Sequence, residues 1–113
     1  MELDVQARDF PLTEGLHAAI AAALRPYAAA FDEAVRKVAV RVYDLNGPRG
    51  GVDKRCQVVL KTDGTGPVIA VSVARDWRTA LDQALARASR FLLRQWRRSA
   101  DARRLRRRAL SPS

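Results

Sequence analysis

In 113 residues there is one thiol, Cys56, and one imidazole, His17. A nucleophilic cysteine needs a base within hydrogen-bond reach and a third group to orient that base. Cys56 stands in the alternating stretch RCQVVLKT, on the same face as Val58 and Leu60, and His17 stands in a helical stretch near the N-terminus. These settings predict a core cysteine that behaves as a small hydrophobe and an exposed helix histidine. Neither has the companions that a metal requires. The turn NGPRGG, residues 46 to 51, has the glycines of an anion-binding nest, but no lysine and hydroxyl follow in P-loop spacing. No catalytic residue, metal ligand, cofactor or small-molecule substrate is therefore expected, and the chain reads as a non-enzyme. A thiol enzyme would require the opposite of Cys56, an exposed side chain with a lowered pKa.

The other chemistry available is charge. Residues 1 to 85 carry eleven Lys/Arg against eleven Asp/Glu, whereas residues 86 to 113 carry ten arginines against Asp101 alone, so the net charge of +9 is C-terminal. Such asymmetry points to a densely negative partner, nucleic acid or an anionic membrane surface. The arginines also have an order. From the helix cap Asp76, DWRTALDQALARASRFLLRQWRR runs without Gly or Pro. At 100° per residue, Trp77, Leu81, Ala84, Leu85, Ala88, Leu92 and Trp96 fall on one stripe, and Arg87, Arg90, Arg94, Arg97 and Arg98 on the opposite one. Charged helix faces normally mix signs; five arginines without a neighbouring acid repel one another, a cost that a polyanion offsets. The apolar stripe is needed for a core, which leaves little for a membrane surface to accept. Trp77 and Trp96 read as core, with base stacking as the alternative for Trp96.

The elements that must hold this helix are legible in outline. ELDVQA alternates, with Leu3, Val5 and Ala7 on one face. PLTEGLHAAIAAAL has Thr13 as a helix cap and Leu16, Ala19, Ile20, Ala23 and Leu24 at helical spacing, until Pro26 stops or kinks it and Tyr27 and Phe31 add one further turn. Three strands follow. KVAVRVYDL turns Val38, Val40 and Val42 to one side, RCQVVLKT turns Cys56, Val58 and Leu60, and VIAVSVA is read as turning Ile69, Val71 and Val73. Arg41, Tyr43, Arg55, Gln57, Lys61 and Ser72 go to the opposite, wet face, which with Lys54 makes a second candidate RNA-binding group of Arg41, Lys54, Arg55 and Lys61. The turns at 46 to 51 and 63 to 67 make strands two to four a meander. The order β-α-β-β-β-α gives an α+β fold in which a four-stranded mixed sheet carries both helices on one face, with strands one and two parallel. A single domain over residues 1 to 100 is expected, followed by a basic, disordered tail over 101 to 113. One cysteine, no signal-peptide pattern and no run of ~18 apolar residues make the cytoplasm the expected location.

That order, with LTEGLHAAIAAALRP, GGVDKRCQVVL and RDWRTALDQALARASRFLLRQ, resembles the ribosome hibernation-promoting factor and ribosome-associated inhibitor family, also called sigma-54 modulation proteins, in its short form. The most telling residues are Leu12 and Thr13 at the start of the first helix, and Asp76, Trp77, Ala80, Leu81, Asp82 and Ala84 in the Asp-aromatic opening of the second. The resemblance implies a fold like a double-stranded-RNA-binding domain. It also implies a bacterial stress-response protein that binds small-subunit ribosomal RNA in the channel for messenger and transfer RNA and so blocks translation; separately from the resemblance, a monomer is the expectation for the free chain. A structured-RNA binder with no ribosomal role is the alternative.

Overall fold

A computed structural model describes residues 2–8, 12–45, 53–63 and 66–110. The glycine turn at 46 to 51, and with it the possible anion nest, lies outside the described residues, as do residues 111 to 113 of the expected tail.

Strand β1 (Glu2–Arg8) leads to helix α1 (Glu14–Leu24), whose first turn is closed by Thr13: its Oγ1 accepts from the Leu16 amide at 3.1 Å. Pro26 ends α1 in one 3₁₀ turn, Arg25–Tyr27. The chain then resumes as helix α2 (Ala28–Ala34), which continues through Asp32, Glu33 and Ala34, beyond the one further turn expected around Tyr27 and Phe31. The alanine-rich sequence favours that extension, and Phe31, fully buried and stacked on Tyr27 with ring centroids 5.5 Å apart, anchors it.

Strands β2 (Val35–Asp44), β3 (Lys54–Thr62) and β4 (Val68–Ala74) complete a sheet of order β1-β2-β3-β4, with β1 and β2 parallel and the other pairs antiparallel. On its covered face Val38, Val40, Val42, Cys56, Val58 and Leu60 are almost wholly buried, and Leu3, Val5 and Ala7 pack against them. Helix α3 (Trp77–Leu110) lies across β3 and β4 and closes this core with Ala80, Leu81, Ala84, Leu85, Ala88 and Leu92.

The face of β4 is the reverse of the one expected. Val68, Ala70, Ser72 and Ala74 are buried, whereas Ile69 and Val73 stand 50% and 40% exposed on the open face. VIAVSVA is apolar at nearly every position, so its own alternation does not choose a side. Pairing does: Cys56, Val58 and Leu60 sit opposite Ser72, Ala70 and Val68. The small Ala70, Ser72 and Ala74 are the residues a helix can approach closely, and the Ser72 hydroxyl is matched by Gln83 of α3.

Helix α3 also runs further than expected. It continues through Leu110, over residues 101–109 that are exposed on every side. Arg, Ala and Leu are strong helix formers and no breaker intervenes before Pro112. Thirty-four residues at 1.5 Å each make a rod of about 50 Å, which is why the molecule measures 67 × 23 × 20 Å and has a radius of gyration of 17.1 Å, against the ~13 Å of a compact chain of this length.

Candidate nucleic-acid interface

The start of α3 is fixed in several ways. Asp76 Oδ1 accepts from the Thr79 amide at 2.8 Å and Oδ2 from the Thr79 hydroxyl at 3.0 Å. Those bonds favour the ionised carboxylate and hold the Asp76 pKa below its ordinary value. Arg78 and Asp82 pair one turn apart at 3.2 Å. Further along, Arg87 donates to the Val71 carbonyl of β4, and Gln95 donates to the Gly66 carbonyl at 3.0 Å. The helix is thereby tied along the outer edge of the sheet as well as to its core.

With α3 so placed, Arg87, Arg90, Arg94, Arg97 and Arg98 are all exposed. Their positions are not equivalent. Arg87 is turned onto the strand and spends one donor there; Arg94 lies over the Phe91 ring, 5.6 Å from its centroid, a contact that leaves the edge of the guanidinium able to bond. Because the helix continues, Arg104 and Arg108 extend the same stripe, with Asp101 between them and Arg97. Arg87 to Arg108 then forms one line about 30 Å long. Arg104 and Arg108 were missed in the sequence, where the cluster after Asp101 looked unordered; the absence of any breaker up to Pro112 was the available signal.

The second candidate group divides. Arg41, Arg55 and Lys61 are on the open face of the sheet, Arg55 over the Tyr43 ring at 5.3 Å and Lys61 opposite Lys37. Lys54 is not with them. It lies on the covered side, 15% exposed, with Nζ 3.0 Å from Asp44 Oδ1, 3.5 Å from Asp53 and 4.9 Å from the centre of the Trp77 ring. The hydrogen bond to Asp44 raises its pKa, against the effect of burial. Two residues of strand parity separate Cys56 from Lys54, so the same alternation that buries the cysteine carries the lysine inward. The arginine stripe and Arg41, Arg55 and Lys61 consequently belong to opposite sides of the sheet layer, and a single flat partner meets only one of them.

Trp77 packs against the core as expected, but Trp96 is 49% exposed. The sheet ends beneath it, and burial along α3 stops at Leu92. Cys56 is fully buried and its thiol is pushed up to about 12 by loss of solvent, the reverse of what a thiol nucleophile needs. Among the described residues no group of three His, Cys, Asp or Glu could hold a metal, and no helix is long and apolar enough to cross a membrane.

No family model and no curated protein matches the chain. Solved structures do. The N-terminal domain of Thermus thermophilus protein Y superposes with a TM-score of 0.66 at 16% identity, covering 83% of this chain and 98% of that domain. A ribosomal subunit interface protein from Coxiella burnetii gives 0.66 at 13% identity, covering 88% and 99%. The fold of this chain, a mixed four-stranded sheet with helices packed on it, is the fold of those two proteins, and the resemblance read from its sequence holds at that level.

Proposed function

We propose that the chain is a ribosome-associated translation inhibitor of the hibernation-promoting factor family, acting in the bacterial cytoplasm under stress. The stripe of Arg87, Arg90, Arg94, Arg97 and Arg98 contacts phosphates of small-subunit ribosomal RNA, and occupancy of the channel excludes messenger and transfer RNA. The observation that carries this reading is the one-sided line of exposed arginines, set on the longest helix of a fold shared with a protein described as a ribosomal subunit interface protein. No bond is made or broken. Arginine donates in a planar fork that matches phosphate, and an A-form helix is recognised mainly through its shape and backbone. The stripe is the primary surface; Arg41, Arg55 and Lys61 face away from it and meet RNA only where RNA reaches the other side.

Sedimentation of a lysate containing the tagged protein tests the assignment. Co-migration with small subunits or whole ribosomes, resistant to an excess of random duplex RNA, supports it. Displacement by that duplex supports a general structured-RNA binder, and absence from every ribosomal fraction refutes a ribosomal role.

A further inference from the structure

Where α3 leaves the sheet, a cleft of about 200 Å³ opens between the helix, the end of α2 and the end of β3. Trp96 forms one wall with half its surface bare. Gln95 and Ser99 lie beside it, Glu33 and Asp63 stand opposite, and Arg103 is at the C-terminal end. Two features set this cleft apart from an accidental gap. A tryptophan exposed to this degree is a large apolar surface without a neighbour to cover it. Gln95 Oε1 is buried and has no hydrogen-bond partner among the described residues, a condition that buried acceptors rarely keep.

We propose that this cleft takes one unpaired RNA base, stacked on Trp96, with Arg103 on its phosphate. The inference rests on the RNA-binding reading above and adds to it a subsite for single-stranded RNA. Its size is below the ~300 to 1,000 Å³ of pockets that enclose a whole drug-sized ligand, and suits a single planar ring system. Stacking on an indole accepts any base, because every base presents a π-face. The Gln95 amide and Ser99 hydroxyl, with the Glu33 carboxylate, provide acceptors and a donor at the base edge. A cationic side chain is a poorer occupant. Asp63 is already paired with Arg36 at 3.2 Å, and Arg103 places a positive charge among the lining groups. On the helical wheel Trp96, Arg103 and Arg107 lie together on the side of α3 opposite the arginine stripe. The stripe therefore engages a duplex backbone, and the other side of the same rod receives a strand that has left the duplex.

The test uses the full chain, a single-stranded oligoribonucleotide, the same oligonucleotide with abasic positions, and an RNA duplex. Single-stranded RNA should quench tryptophan fluorescence; the quench should disappear in Trp96→Ala, with affinity for that strand falling about tenfold and affinity for the duplex unchanged. Trp96→Phe keeps a ring and should retain most of the affinity, which separates stacking from a folding defect; Arg103→Glu should weaken the single strand more than the duplex. Equal losses for single strand and duplex, undiminished quenching by the abasic strand, or quenching by an arginine-rich peptide in place of RNA would each overturn the subsite. These outcomes are distinct from failure of the ribosomal reading, which is decided at Arg90 and Arg94 on the other side of the helix.

Discussion

The two halves of α3 use the same residue types to different ends. From Trp77 to Leu92 the helix has three arginines, and its apolar residues at three- and four-residue spacing are buried against β3 and β4. From Leu93 to Leu110 it has eight arginines, and its large apolar residues Leu93, Trp96 and Leu105 are exposed. A leucine stabilises the fold only where the sheet lies beneath it, and an arginine is available to a partner only where the backbone fixes its direction without consuming its donors. Arg87, well inside the anchored half, is partly consumed by the Val71 carbonyl; Arg90 and Arg94 stand on either side of the border, next to helix anchored by Leu85, Ala88 and Leu92. The anchored part aims the charge, and the overhang supplies more of it.

The two halves should differ most when a leucine is truncated in each. Leu85→Ala removes a fully buried side chain and should cost about 2 to 5 kcal/mol in urea unfolding. Leu105→Ala, at a position 66% exposed, should stay within about 0.5 kcal/mol of the parent. Similar costs for both would mean that the overhang is packed against something in solution.

A smaller effect is expected at Cys56, under the anchored half. Cys56→Ala should cost about 1 to 2 kcal/mol near neutral pH and leave ribosome binding intact. Burial raises the folded thiol to about 12, while the unfolded thiol titrates near 8.5. Below that lower value both states hold the proton and the cost is constant. As pH rises towards 12 the unfolded state alone loses its proton, wild type is destabilised, and its advantage over the variant shrinks. Unfolding both proteins at pH 7 and pH 10 measures this; a gap that widens with pH would contradict the burial.

The smallest effect on stability belongs to the overhang. Truncation after Ala100 removes five arginines, and should leave unfolding almost unchanged while it weakens ribosome binding and flattens its salt dependence. The footprint on ribosomal RNA should remain in place. A displaced footprint would assign the positioning to residues 101 to 113, which are proposed here only to add affinity to a domain that spans residues 1 to 100.

The sequence made most of the fold legible because the signals were redundant: Val38, Val40 and Val42 alternate cleanly, Thr13 and Asp76 cap their helices, and the arginine stripe opposes the apolar one. It failed where a local signal was symmetric or silent. VIAVSVA is apolar on both parities, so only pairing with β3 could bury Ser72 and expose Ile69. Lys54 has the composition of a surface cation, and its capture depends on Asp44, Asp53 and Trp77 meeting across the end of the sheet. Trp96 continues the apolar period, but period says nothing about where the sheet stops.

If the anchored helix face aims charge at ribosomal phosphate, combining Arg90→Glu with Arg94→Glu should abolish the interaction without unfolding the protein. Both residues are exposed and outside the core, so unfolding should stay within about 0.5 kcal/mol of wild type. Ribosome association and inhibition of translation at physiological salt should be lost, because reversing two charges in the line both removes phosphate contacts and adds repulsion. A stably folded double variant that still associates and inhibits would show that the arginine face is only a solvated surface.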